Sequence, residues 1–234
     1  MSVLNINTKI IHVISIEGNI GAGKSTFIEI IRNRFYKEKQ AVIVPEPVEL
    51  WKNIKDENGE NILNKFYGDI SRWSYSFQNM AYITRIMKLE QSIRENPNEK
   101  VIFQDRSIEC DKNVFEKMLY DDKLIVEIEH QLYKLWNKFY EEYMRKNIRN
   151  KTIYLRCSSK TALDRIIKRG REEEKNISIE YLEKLKRYHD EWLINDKEDK
   201  EEKEVLIIDC DRDFEEDKEY QKEIIKQVKE FIYN

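Results

Sequence analysis

Cysteine, proline and histidine each occur only three times in this 234-residue chain, and glycine only six times. Cys110, Cys157 and Cys210 are odd in number and far apart, which excludes a disulfide framework or a cysteine cluster for metal and fits a reducing compartment. His12, His130 and His189 are isolated and are assigned no role. No apolar run approaches the ~20 residues of a membrane span, and the nine residues before the first strand-like run are too few for a signal or transit peptide. A cytoplasmic protein with no membrane partner is expected. Neither sign of charge dominates: 42 Lys and Arg against 45 Asp and Glu leave a net charge of −3, without the positive field that draws in a nucleic-acid backbone. No nucleic-acid partner is expected, and any positive charge that handles phosphate must be local. Pro/Gly/Ser-rich linkers and internal repeats are also missing, so residues 1–234 are read as a single α/β domain.

What the chain does contain is an alternation. Short apolar runs at Ile10–Ile16, Ala41–Val44, Val101–Phe103, Ile153–Leu155 and Val205–Ile208 are separated by stretches with helical spacing. The helical stretches are Lys24–Lys39, Ser71–Glu95, Leu124–Asn147, Thr161–Lys168, Ser178–Asn195 and Glu219–Tyr233. This order predicts a five-stranded parallel sheet flanked by helices on both faces. The charge-dense Asp196–Glu204 reads as a solvated helix end and loop, with a functional acidic tail as the alternative.

Three of the six glycines fall in one eight-residue window, Gly18-Asn19-Ile20-Gly21-Ala22-Gly23-Lys24-Ser25, followed by Thr26. The window matches the P-loop pattern and lies between a predicted strand and a predicted helix, as the mechanism requires. Glycines let consecutive backbone N–H groups turn toward one centre, and the helix start adds its positive dipole end. Lys24 is then expected to reach the β- and γ-phosphates of ATP or another nucleoside triphosphate, and the Ser25 hydroxyl to ligate magnesium.

Two of the three prolines flank a single glutamate in Val44-Pro45-Glu46-Pro47-Val48. Proline fixes its own φ and pushes the preceding residue out of the α region, so Glu46 belongs to a stiff, extended segment at the carboxyl end of a strand. That edge of an open α/β sheet lines the ligand crevice. A rigid carboxylate there suits a general base for an attacking hydroxyl; a surface glutamate in a turn is the alternative.

Taken in order, EGNIGAGKST at Glu17–Thr26, VPEPVELW at Val44–Trp51, RWSYSFQ at Arg72–Gln78, DRS at Asp105–Ser107 and RGREEE at Arg169–Glu174 resemble the cellular deoxynucleoside kinase family, the group containing deoxycytidine and deoxyguanosine kinases. The resemblance runs from about Ile10 to Phe214 and implies a P-loop kinase fold with an arginine-rich lid at about 165–176. It implies Glu46 as general base, with Arg106 near the 5′-hydroxyl and the transferring phosphate and Asp105 near magnesium. Here an aspartate stands where the family carries a glutamate, one methylene shorter with the same charge; Asp105 also suits a helix N-cap. Gln78, Ala81 and Arg85 share one helix face, and the resemblance implies that they and Asp111 meet the base. The donors and acceptors of Gln78, Arg85 and Asp111 suit cytosine, adenine or guanine better than thymine. Tyr67 and Glu174 fall where the family holds the sugar 3′-hydroxyl. Trp51, Phe77 and Phe115 are expected to wall the base, with ordinary core packing as the alternative. Arg165, Arg169 and Arg171 form the implied lid over the phosphates. Asp213 and Phe214 match the loop around the donor's base, and a homodimer built from the two long helices is also implied.

The expected activity is therefore transfer of the ATP γ-phosphoryl group to the 5′-hydroxyl of a deoxyribonucleoside. A nucleoside monophosphate kinase of the thymidylate type, and a non-catalytic P-loop switch, are the alternatives.

Overall fold

Val13 packs on one side of the first apolar run and Ile14 and Ile16 on the other, all buried, as a central strand of a covered sheet demands. In the computed structural model, which describes residues 10–35, 42–99, 101–143, 145, 147–171, 174–195 and 204–233, this run is β1 (Ile11–Gly18). The other strands are β2 (Val42–Val44), β3 (Val101–Asp105), β4 (Ile148–Arg156) and β5 (Glu204–Asp209). All pair in parallel, in the order β2-β3-β1-β4-β5.

Helix α1 (Lys24–Phe35) sets Phe27 and Ile31 against Ile14, Ile16, Phe103 and Leu155, and α8 (Ser159–Arg169) and α10 (Lys218–Tyr233) complete that layer through Ala162, Ile166, Ile224 and Val228. On the opposite face α4 (Ile70–Glu95) lays Leu89 on Val13, Val44 and Ile102. Asp69 starts α4 by accepting a hydrogen bond from the Arg72 N–H at 3.0 Å. The same layer holds α5 (Ile108–Cys110), a wide π turn at Asp111–Glu116, α6 (Lys117–Asp121), α7 (Glu127–Tyr143) and α9 (Ile179–Asp190). Two short helices, α2 (Val48–Asn53) and α3 (Ile62–Gly68), cross the top of the sheet after β2.

The five-stranded parallel sheet is as expected, and several boundaries move. The helix expected from Leu124 begins at Glu127: Lys123 takes a left-handed φ of 65°, and the Glu129 carboxylate accepts from the Val126 N–H at 3.0 Å. Among the described residues it runs to Tyr143, and Asn147, its expected far end, is in a turn. The expected end of α1 at Lys39 and Ala41 of the second strand lie outside the described residues, as do residues 196–203 of the Asp196–Glu204 segment; Glu204 itself opens β5. The N-cap after β3 is Ser107, whose side chain accepts from the Cys110 N–H at 3.1 Å, and Asp105 is instead the last residue of the strand. No described helix is long and apolar enough to cross a membrane.

Candidate active site

The carboxyl ends of β1, β2 and β3 open into a cavity of about 550 Å³. Its floor is the turn between β1 and α1. Gly21 (φ 79°) and Gly23 (φ 94°) occupy the left-handed region, and a Cβ at Gly21 would stand 2.3 Å from the Ala162 carbonyl oxygen, so no larger residue fits. Ile20, Gly21, Gly23, Lys24, Ser25 and Thr26 line the cavity. Lys24 Nζ donates to the carbonyls of Gly18 (3.1 Å) and Asn19 (2.9 Å), and burial, then the neighbouring Arg106, lower its pKa to about 8. Asn19 and Ala22 turn their side chains away. Asn19 Nδ2 donates to the Leu182 carbonyl at 2.8 Å, while the Ala22 methyl is in the core and its N–H donates to the Asn19 carbonyl at 3.2 Å.

At the other end, Glu46 follows β2 and is fixed by the turn in which the Val48 N–H donates to its carbonyl at 2.8 Å. Arg85 Nη2 donates to Glu46 Oε1, and Arg106 Nη1 approaches the same oxygen at 3.4 Å. Burial pushes the Glu46 carboxyl up, but Arg106, Arg85 and Lys24 together hold it below its ordinary value, so it is an anion at neutral pH. Arg85 Nη1 also donates to both Asp111 oxygens, at 2.8 and 2.7 Å, and the guanidinium lies 5.1 Å from the Trp51 ring. Burial pushes Asp111 up to about 6 against the pull of Arg85, which leaves it ionised at neutral pH. Gln78 is 1% exposed and its Oε1 has no hydrogen-bond partner, an acceptor left free in a buried wall.

Arg106 has a left-handed φ of 65°, and its guanidinium lies 4.6 Å from the Phe115 ring. Trp51 is anchored by its Nε1–H, which donates to Thr84 Oγ1 at 2.9 Å. Phe77 lines the cavity and also packs, edge-on to Trp51 at 5.5 Å and stacked on Phe66 at 4.5 Å, so wall and core describe it equally. Tyr67, Ala81, Asp111 and Phe115 line the same space.

Asp105 Oδ1 is buried without a partner, and burial followed by the Glu46 charge pushes its carboxyl up to about 6. An orphaned carboxylate oxygen on the cavity wall that Lys24 and Ser25 share fits a divalent cation, which would keep it ionised. The lid arginines also face the cavity: Arg165 Nη1 lies 3.5 Å from the Ala22 carbonyl, Arg169 ends α8, and Arg171 follows Gly170, whose φ of 65° caps the helix. Glu174, expected at the sugar, is engaged by both Arg169 and Arg171, the latter at 3.5 Å. Asp213 spends its carboxylate on the N–H groups of Glu215 (2.8 Å) and Glu216 (3.1 Å), and Phe214 is buried edge-on to Phe27 at 6.0 Å, with its ring beside Gly23.

Sequence reasoning missed Leu63 and Phe66 of α3, Tyr181 of α9, and Val48, Lys52, Lys168 and Glu215, which also line the cavity. Phe66 sits next to Tyr67 in sequence, and Lys168 lies inside the arginine cluster; for Tyr181 the sequence carried no signal.

A parallel sheet whose central strand runs into a glycine cradle, with a lysine at the first turn of the next helix, defines a P-loop nucleotide-binding protein. The sequence model for deoxynucleoside kinase matches residues 14–233. The chain is 36% identical to deoxycytidine kinase 1 of Xenopus laevis, over 94% of this chain and 89% of that protein. It is 33% identical to human deoxycytidine kinase (94% and 90%) and 31% identical to the mitochondrial deoxyguanosine kinase of Xenopus laevis (94% and 89%). The chain belongs to the deoxynucleoside kinase family: it is a phosphotransferase with a nucleotide donor and a nucleoside acceptor. Family membership sets aside the monophosphate kinase and the non-catalytic switch.

Proposed function

We propose that the chain, acting as one kinase domain over residues 1–234, transfers the γ-phosphoryl group of ATP to the 5′-hydroxyl of deoxycytidine, deoxyadenosine or deoxyguanosine in preference to thymidine. The observation that carries this reading is the anion at Glu46, held between Arg85 and Arg106 in the same cavity as the P-loop. Glu46 takes the proton from the acceptor hydroxyl as the new oxygen–phosphorus bond forms and the bond from the γ-phosphorus to the β–γ bridging oxygen breaks to release ADP, while Lys24 and Arg106 stabilise charge on the transferring group. Ser25 and Asp105 would hold magnesium, which would neutralise charge on the donor phosphates. Gln78, Arg85 and Asp111, with the small Ala81 between them, read the base, and Trp51, Phe77 and Phe115 wall it. Thymine offers a carbonyl and a methyl where Asp111 and Arg85 stand. Tyr67 and Glu174 hold the 3′-hydroxyl, and for Glu174 this requires release from Arg169 and Arg171. Those arginines and Arg165 form the lid at 165–176, and Asp213 and Phe214 border the donor's base.

Assembly as a homodimer is part of the same proposal. The outer face of α7 exposes Ile128 (70%), Leu135 (63%), Trp136 (49%) and Phe139 (51%), and α4 exposes Met87 (57%), apolar side chains that a second copy would cover. A cytoplasmic location is likewise proposed, from the buried, unpaired thiols of Cys110, Cys157 and Cys210.

The test is kcat/KM for each of the four deoxynucleosides with ATP and magnesium, run beside dCMP. Turnover of deoxycytidine and the purine nucleosides above thymidine is expected. Phosphorylation of dCMP alone, or ADP release indifferent to added nucleoside, overturns the reading, and a strictly monomeric active species in solution overturns the dimer.

A further inference from the structure

Glu17 opens the EGNIGAGKST stretch, yet it has no share in the phosphate cradle that follows. Its side chain is fully buried and does not line the cavity. A buried carboxylate carries a heavy desolvation cost unless its bonds do something in return. Glu17 Oε1 accepts from the backbone N–H of Ser107 at 2.8 Å, and the same carboxylate also faces the Cys110 thiol.

The bond from Ser107 falls beside a strained residue. Arg106 holds a φ of 65°, a conformation that is costly for a residue with a Cβ and survives only when its surroundings impose it. Three consecutive residues of β1 impose it. The Arg106 N–H donates to the Ile16 carbonyl at 3.1 Å, the Ser107 N–H donates to Glu17 Oε1 at 2.8 Å, and Arg106 Nη2 donates to the Gly18 carbonyl at 3.0 Å. Two of these acceptors are backbone groups that any sequence supplies. Only the middle one depends on a side chain, and an uncharged apolar residue there would leave the Ser107 N–H buried and unpaired.

We infer that Glu17 is a positioning residue for the phosphoryl-transfer site: its carboxylate pins the Ser107 amide, fixes the left-handed turn at Arg106, and so aims the guanidinium between the Gly18 carbonyl of the cradle and the Glu46 carboxylate. One side chain thereby keeps the donor cradle and the acceptor carboxylate in register. The inference rests on the proposed reaction, because the guanidinium matters most where charge moves between donor and acceptor.

The experiment compares Glu17→Ala and Glu17→Gln, each alone and with Arg106→Ala. Gln keeps an acceptor oxygen at the same reach, so its kcat is expected within about threefold of the unaltered enzyme; Ala is expected to lose about 10–100-fold in kcat with both KM values within about threefold, the signature of a contact made chiefly in the transition state. In the Arg106→Ala background, adding Glu17→Ala is expected to cost less than about twofold, because both changes remove one device. Unchanged kcat in Glu17→Ala, equal losses for Gln and Ala, or a full additive loss in the double variant overturns the inference. Should Glu17→Ala fail to fold, amide exchange in the unaltered enzyme decides: Ser107 is expected to exchange only through global unfolding, and exchange at the rate of exposed loop amides overturns the pin. An unaltered enzyme that phosphorylates none of the four nucleosides sinks the kinase reading instead, while the amide measurement still tests the pin.

Discussion

The two ends of the cavity are built differently. The end proposed for the donor is built on main chain: one turn of consecutive residues, with Gly21 and Gly23 in left-handed conformations, makes the cradle, with Lys24 at its base and Arg165, Arg169 and Arg171 around it. The acceptor end is mostly side chain. Glu46 comes from the loop after β2, Arg85 from α4, Arg106 from just past β3 and Asp111 from the π turn, and these four meet in one ion-paired cluster beside Gln78 of α4. A backbone site tolerates changes of side-chain chemistry but not of volume or φ, whereas a side-chain site fails through the loss of individual charges.

Glu46→Gln breaks the acceptor end most sharply. Turnover should fall by on the order of 10² or more while binding of a fluorescent ATP analogue stays nearly intact. Gly21→Ala is the mirror experiment. The new methyl meets the Ala162 carbonyl at 2.3 Å in a left-handed turn, so the donor KM should rise by at least about tenfold while calorimetric binding of the nucleoside is kept. Equal damage to both substrates in either variant would erase the contrast between the ends.

Arg85→Met sharpens the contrast within the acceptor end. Removing a cation that helps hold Glu46 below its ordinary value raises that pKa, so the acid limb of the kcat/KM profile should move to higher pH. The preference for deoxycytidine over thymidine should shrink by about tenfold in the same variant. An unmoved acid limb would detach Arg85 from the base.

The smallest effect lies beneath the acceptor wall, where His189 is buried edge-on to Phe115, its Nδ1 bonded to the Leu185 carbonyl at 2.7 Å and its Nε2 3.6 Å from Cys110 Sγ. Burial, with Arg106, Lys24 and the opposing Asp190 charge nearby, leaves its folded pKa at about 3, against about 6.5 in an unfolded chain. The unfolded state thus takes up the proton first as pH falls, so this group's contribution is full above about 6.5 and is lost progressively toward 3. His189→Gln should leave kcat at neutral pH unchanged and flatten the fall of Tm over that window.

The two ends were also unequally legible in the sequence. The cradle was readable because its residues are contiguous, and the flanking strand and helix follow from apolar spacing alone. Glu46 stood out through its two prolines. Gln78, Ala81, Arg85 and Asp111 were picked out through family resemblance; on composition Arg85 and Asp111 were an ordinary ion pair. Tyr181 was not legible, since an aromatic at helical spacing looks the same facing a cavity or a core. The π turn at Asp111–Glu116, which widens the helix where Asp111 and Phe115 project, leaves no mark in composition. The engagement of Glu174 by Arg169 and Arg171 is a side-chain arrangement that spacing does not reveal.

The order of the sheet sets a timetable for the ribosome. β1 leaves first, yet Val13 pairs with Ile102 on one side and Asn150 on the other, and β2 also needs β3 before it has a neighbour. The nascent chain therefore carries its central strand without a neighbour until β3 has been made and without the second until β4 follows, shielded at most by α1. Both ends of the cavity must then appear late and together, once β3 and β4 close around a strand synthesised long before them.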